Sequence, residues 1–261
     1  MTTVGRTDGL RFVAHAYSFP KDEDHPTEWE DGAGHYLGRG RGWFAVADGA
    51  SSGFHVKEWA KRLVTGFVTR RLDSSVALQD LIDEEGERWS DTRDAPTREQ
   101  VEQQWWQEAA PLRQDTAAAF VGAYVKATGP RTGIFRAFAV GDCCLMHVRE
   151  STLLMSFPLS SPEAFAQNPA LVYSRPEKMP AGVEGIQLSS GQLRPGDMLI
   201  LASDRLSQCL LWHSARSDGA VWEALRAVDR QSFETLVRAL RTHGSLEVDD
   251  VTLLRIAVLA E

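Results

Sequence analysis

Three aspartates stand where a carboxylate is well placed for chemistry. Asp48 closes the apolar run Trp43 to Ala47 and precedes Gly49, Asp204 closes Met198 to Ser203, and Asp249 stands just before Val251 to Leu259. Carboxylates at the ends of buried strands, beside a glycine that lets backbone come close, suit a hard cation or a phosphate. If the three meet on one rim of a sheet, an all-oxygen donor set completed by water favours Mg²⁺ or Mn²⁺ over zinc. Two such ions about 3.5 to 4 Å apart activate a water and neutralise the charge that develops in phosphoryl transfer. Each aspartate taken singly also reads as an ordinary turn that closes a strand.

The elements that must position these groups are legible from periodicity. Leu10 to Phe19 alternates as an opening strand, and an acidic loop from Pro20 to Gly34 follows with Asp22, Glu23, Asp24, Glu28, Glu30 and Asp31. A solvated loop is the plain reading of that run. After a Gly and Arg turn over Gly38 to Gly42 and the strand Trp43 to Ala47, apolar residues recur at helical spacing from Val56 to Leu72. Ser75 to Arg113 reads as two helices separated near Asp94 to Pro96 and anchored by Trp89, Trp105 and Trp106.

Strands are expected over Thr116 to Lys126, Gly133 to Val140, Cys143 to Arg149 and Leu153 to Phe157. Only Gly141 and Asp142 separate the middle two, which predicts a tight hairpin. The proline-containing stretch Pro158 to Pro180 reads as a functional flap or an insertion. Strands near Gly185 to Leu188 and over Met198 to Ala202, two or three helices within Asp204 to His243, and the strand Val251 to Leu259 complete a chain without repeats. Antiparallel strands with helices before and after them imply one α+β layered domain over residues 1–261.

Bulk properties exclude several classes. With 261 residues, 43% hydrophobic and 25% charged, the chain can bury a substantial core. A formal charge of -8 argues against sequence-independent nucleic-acid binding and fits a cleft that concentrates cations. Arg6, Asp8 and Arg11 break any signal-peptide core, and no apolar run approaches a membrane span. The three cysteines, with Cys143 and Cys144 adjacent, form neither a disulfide framework nor a zinc pattern, so packing in a reducing cytoplasm is expected.

Taken in order, these motifs resemble the type 2C metal-dependent protein serine/threonine phosphatases. The resemblance rests on Trp29-Glu30-Asp31, Phe44-Ala-Val-Ala-Asp48-Gly49, Asp115-Thr116, Ala139-Val-Gly141-Asp142, Leu199-Ile-Leu-Ala-Ser-Asp204 and Asp249-Asp-Val-Thr252. It implies a four-layer αββα sandwich with two central antiparallel sheets and a cleft holding two Mg²⁺ or Mn²⁺ ions. In that arrangement Asp48 would bridge both ions, the Gly49 carbonyl would bind one, and Asp204 and Asp249 would complete the other's shell. Glu30 and Asp31 would hold metal-bound water. Water held between the ions would attack phosphorus in line, without a covalent enzyme intermediate. The partner implied is a phosphoprotein bearing phosphoserine or phosphothreonine, in a cytoplasmic signalling role opposite a serine/threonine kinase.

The chain departs from the family pattern at several positions. Pro26 stands where an arginine commonly grips the phosphate, leaving Lys21, His25, Arg39 and Arg41 as substitutes. Ala50 stands where many eukaryotic members carry a histidine proposed as general acid, so His55 is an alternative proton donor. Gln208 replaces an aspartate that binds a third, weaker ion together with the counterpart of Asp142; Asp142 reads equally as part of a turn. Arg205, beside a candidate ligand, would pair with a carboxylate, bind phosphate or repel a cation. These departures keep two alternatives open: a pseudophosphatase acting as a binding module, and a phosphatase of small phosphoesters.

Overall fold

The computed structural model describes residues 3–5, 9–25, 29–50, 55–91, 116–165, 169–175, 185–216 and 219–260. Among the described residues twelve strands form two antiparallel sheets. The first sheet runs in the order β1 (Thr3–Gly5), β2 (Leu10–Phe19), β12 (Val251–Ala260), β11 (Asp197–Ala202), β7 (Cys144–Arg149), β8 (Thr152–Phe157). The second runs β10 (Gln187–Leu193), β6 (Thr132–Val140), β5 (Ala117–Gly129), β4 (Arg41–Gly49), β3 (Gly32–Gly38), with the short β9 (Val172–Tyr173) on the start of β5.

Alternation along the strands sends residues into separate cores. In β4, Phe44 and Val46 enter the core between the sheets, where they join Val121 and Phe135 from the same sheet and Leu199, Leu254 and Ile256 from the other. Trp43, Ala45 and Ala47 point the other way, toward α1 (Val56–Arg70) and α2 (Ser75–Asp91). The buried face of α1, namely Val56, Trp59, Ala60, Leu63, Val64, Phe67 and Val68, repeats at three and four residues, as expected for a helix laid on a sheet. A third core joins the outer face of the first sheet to α3 (Asp204–Ser214), α4 (Ala220–Ala227) and α5 (Arg230–Thr242). Three cores between successive layers give the αββα sandwich that the resemblance implied. Each fully buried Leu or Phe contributes about 1.5 to 3 kcal/mol of transfer free energy, so the layers cannot separate cheaply.

Two expectations are corrected. Gly141 and Asp142 do not form a hairpin: β6 pairs with β5 and β10, β7 pairs with β11 and β8, and the dipeptide carries the chain from one sheet to the other. Gly141 makes that step at φ 98°, pressed so closely on β5 that a Cβ would stand 2.8 Å from the Ala119 Cβ. The acidic loop ends sooner than expected, because Gly32–Gly38 is the edge strand β3. The described part of the Pro158 to Pro180 stretch contains a 3₁₀ turn over Pro162–Ala164 and β9. The second helix expected within Ser75 to Arg113, with Trp105 and Trp106, lies outside the described residues, as do Pro26, Glu28 and Asp115. Among the described residues no helix is long and apolar enough to cross a membrane.

Candidate metal centre

Backbone pairing delivers the carboxylates to one end of the sandwich. The Ser203 N–H donates to the Thr252 carbonyl at 3.1 Å, and the Thr252 N–H donates to Ser203 Oγ at 3.1 Å. These reciprocal bonds pin the end of β11 to the start of β12, so Asp204 at the first turn of α3 comes beside Asp249 and Asp250. In the other sheet, Asp48 is the penultimate residue of β4, opposite Ala119. The next residue must be glycine: a Cβ on Gly49 would stand 2.9 Å from the Glu30 carbonyl oxygen and 3.0 Å from the Val56 Cβ. That close approach lets the acidic loop fold over the strand end and brings Asp31 inward.

Asp250 is the clip that holds this loop. Its two carboxylate oxygens accept from the Lys21 and Glu30 backbone N–H groups, each at 2.7 Å, and its residue is 3% exposed. Arg241 on α5 adds a second tie by donating to the backbone carbonyls of Pro20 and Asp249. Neither residue stood out in the sequence. The Asp249-Asp250 pair offered the signal, since two adjacent acids entering a strand must face different ways.

The electrostatics of the rim are unbalanced toward negative charge. Asp31 is 5% exposed, and among the described residues neither of its carboxylate oxygens has a hydrogen-bond partner. Burial first, then the charges of Asp250 and Asp204, push its pKa up to about 7, although Thr252 and Asp48 nearby pull the other way. Asp48 is raised well above the usual carboxylate range by burial and by the like charges of Asp31, Asp204 and Asp249. Burial and Asp204 lift Asp142 to about 6, with Arg205 opposing. Asp249 is raised by burial and by Asp204 and Asp250, against the Asp250 N–H and Arg205. The carboxylates therefore share one electrostatic environment, drawn from both sheets.

Besides Arg241, Lys21 and Arg205 border the group among the described residues. Lys21 Nζ lies 2.8 Å from Glu30 Oε2. Arg205 lies between the acids: its Nε is 3.6 Å from Asp204 Oδ2 and 3.9 Å from Asp249 Oδ2, and its Nη1 is 3.1 Å from Glu247 Oε2. Thus Asp31 faces Asp48 and Asp204, whereas Glu30 is turned toward Lys21. Of the phosphate-gripping substitutes, only Lys21 borders the rim, where Asp249 and Asp250 act on it. His25 pairs with Asp22, and Arg39 and Arg41 sit at the opposite end of β4. His55 pairs with Glu58 across an exposed first turn of α1. Gln208 donates to the Pro162 carbonyl at 3.1 Å. The three cysteines are buried, as packing residues should be.

The donor set fits a hard divalent cation in its chemistry. Carboxylate oxygens dominate it, and Asp31 holds two buried oxygens without a donor among the described residues. Among the described residues no group of three or more acidic, histidine or cysteine side chains is already arranged around a single point. Loading would therefore draw the carboxylates together from the positions described here.

No family model and no curated protein matches the chain. Solved structures do match it over nearly its whole length. The catalytic domain of the serine/threonine protein phosphatase PstP in complex with two manganese ions matches at a TM-score of 0.57 and 17% identity, covering 96% of this chain and 99% of that one. The photosystem II phosphatase PBCP matches at 0.56 and 17%, covering 96% and 100%. The PP2C phosphatase domain of SpoIIE from Bacillus subtilis, solved with a fragment of its regulatory domain, matches at 0.56 and 15%, covering 98% of this chain and 64% of that one. At these identities the likeness establishes the fold.

Proposed function

We propose that this chain, which has the type 2C phosphatase fold, is a divalent-metal-dependent phosphatase of phosphoserine and phosphothreonine in proteins. One observation carries the reading: Asp31, Asp48, Asp142 and Asp249, far apart in sequence, all feel the charge of Asp204 at one end of the sandwich, and burial and that charge raise the pKa of each. Grouping so many like charges costs stability unless something positive binds there. The two manganese ions of the PstP complex support Mg²⁺ or Mn²⁺ as the occupants. Asp48, the Gly49 carbonyl, Asp204 and Asp249 would hold them, and Asp31 would accept from their water; a third ion would lack the ligand that Gln208 replaces.

Bound divalent ions supply charge for the phosphoryl oxygens and lower the pKa of water. The chain's own residues supply the rest. Asp31, buried beside Asp48 and Asp204, is placed to hold a water of the cleft as a hydrogen-bond acceptor. Lys21 and Arg205 border the opening and are the cations in place to orient a phosphate. A cytoplasmic phosphoprotein partner, opposite a serine/threonine kinase, belongs to the same reading. Hydrolysis of p-nitrophenyl phosphate and of a phosphothreonine peptide, measured with Mn²⁺ and with EDTA, checks it. Turnover that requires Mn²⁺ and prefers the peptide is expected. Turnover confined to small phosphate esters would reassign the substrate class, and no turnover would remove the enzymatic reading.

A second reading, a pseudophosphatase that serves as a binding module, is favoured by Arg205 alone. A guanidinium within 4 Å of both Asp204 and Asp249 occupies part of the charge that a cation would otherwise balance. Mn²⁺ affinity separates the readings, because a binding module need not take up the metal.

A further inference from the structure

A basic pocket lies at the end of β4 remote from the carboxylates. The turn between β3 and β4 places Arg39 and Arg41 beside Arg71, which follows α1, and with Tyr36, Gly38 and Trp43 they line a cavity of about 350 Å³. Arg41 and Asp48 are the first and penultimate positions of one strand. At about 3.3 Å per residue the pocket is roughly 20 Å from the acidic rim, too far to touch a phosphate reacting there.

Several features of this pocket lack a structural explanation. Neither Arg39 nor Arg41 has an ion pair among the described residues, although acids outnumber bases 36 to 28 in the chain. Lys126 on β5 is the register partner of Arg41 and adds a further positive charge alongside. Arg71 caps α1 at φ 58° and ψ 53°, the left-handed position where glycine is favoured. From there its guanidinium lies 4.4 Å from the centre of the Tyr36 ring and donates to the Tyr36 hydroxyl at 3.0 Å. Trp43 is 6% exposed, and its buried indole N–H has no acceptor among the described residues. Two guanidiniums without an ion pair among the described residues and an arginine kept in a glycine conformation converge on one cavity.

We propose that this pocket is a second anion site, separate from the acidic rim, for a small ligand bearing two or more phosphate groups. Guanidinium forks match phosphate oxygens in pairs, and several phosphates are needed to engage arginines on both sides of the cavity. The Tyr36 ring, 38% exposed with Arg71 packed on it, also offers a surface for a planar base, so the ligand is either inorganic pyrophosphate or a nucleoside polyphosphate. Calorimetry on the whole chain in EDTA and about 150 mM NaCl, with pyrophosphate and ATP titrated separately, tests the site. Saturable 1:1 binding is expected, weakened at least tenfold by Arg41→Gln and by Arg71→Gly, and unchanged by Asp48→Asn. The Arg71→Gly variant suits its backbone conformation and keeps the fold. Tighter binding of ATP identifies a nucleotide ligand, and equal affinities identify the phosphates alone. Absence of saturable binding, binding indifferent to both arginine variants, or binding lost in Asp48→Asn would overturn the proposal.

Discussion

Strand β11 carries an aspartate at its first residue, and another lies two residues beyond the strand's end, and the two have opposite surroundings. Asp197 accepts from Arg149 Nε at 2.7 Å, Arg149 Nη2 at 2.9 Å and the Arg194 N–H at 2.9 Å, and His147 Nε2 lies 3.0 Å away. Burial alone would raise its pKa, but the bonds from Arg149, His147 and Arg194 outweigh it and hold the carboxyl well below the usual range. At the other end Asp204 faces Asp48, Asp31, Asp142 and Asp249, and Arg205 is its ion-pair partner among the described residues. A carboxylate surrounded by donors is finished structure, whereas carboxylates that raise one another's pKa are structure awaiting a cation. Burial is common to both ends; the supply of donors distinguishes them.

Mutation breaks the comparison most sharply. Asp48→Asn should lower metal-dependent phosphatase activity by about a thousandfold or more, the scale of losing a central charge-stabilising group, while leaving the metal-free fold as stable as before or more so. Asp197→Asn should do the reverse. It should cost about 3 kcal/mol of stability by leaving Arg149 and His147 uncompensated, with activity per folded molecule little changed. Chemical denaturation beside initial rates checks both.

The two ends should also respond oppositely to pH. Asp197, with its folded pKa depressed, contributes stability that is present above the unfolded value of about 4 and lost as pH falls into the acid range. Asp31 and Asp142, raised to about 7 and about 6, contribute stability that is complete below about pH 4 and lost as pH rises through those values. For a group as buried as Asp31 the loss is on the order of 3 to 4 kcal/mol. Metal-free protein should therefore be most stable near pH 5. Melting temperatures from pH 4 to 8 should fall above that optimum in EDTA, and Mn²⁺ should reverse the fall. The smallest effect concerns Arg205: Arg205→Gln should tighten Mn²⁺ binding by about three- to tenfold, the scale of one partly exposed charge contact.

Much of the layering was legible in the sequence because it rests on periodicity. The seven buried positions of α1 and the alternation in β2 follow rules that a single chain displays. The edge strand β3 escaped because Gly32, Gly34 and Gly38 dilute its apolar signal and an acidic loop adjoins it. Gly141 and Asp142 misled for another reason. A two-residue turn and a crossing between sheets need the same residue types, and only the partners of β6 and β7 separate them. Within the site, choosing Asp31 over Glu30 as the inward acid required knowing where the loop meets β4, which Gly49 fixes by contact and not by pattern. The position of Arg205 between Asp204 and Asp249 was likewise a matter of tertiary placement, although its proximity in sequence had marked it.

The central claim is that the acidic rim is a divalent-cation site held open by like charge. Isothermal titration of metal-free protein with Mn²⁺ at pH 7.5, on the unaltered chain and on Asp48→Asn, tests it most directly. The account predicts two ions bound by the unaltered chain and loss of that binding in the variant. Absence of binding to the unaltered chain, or binding that survives Asp48→Asn undiminished, would contradict it.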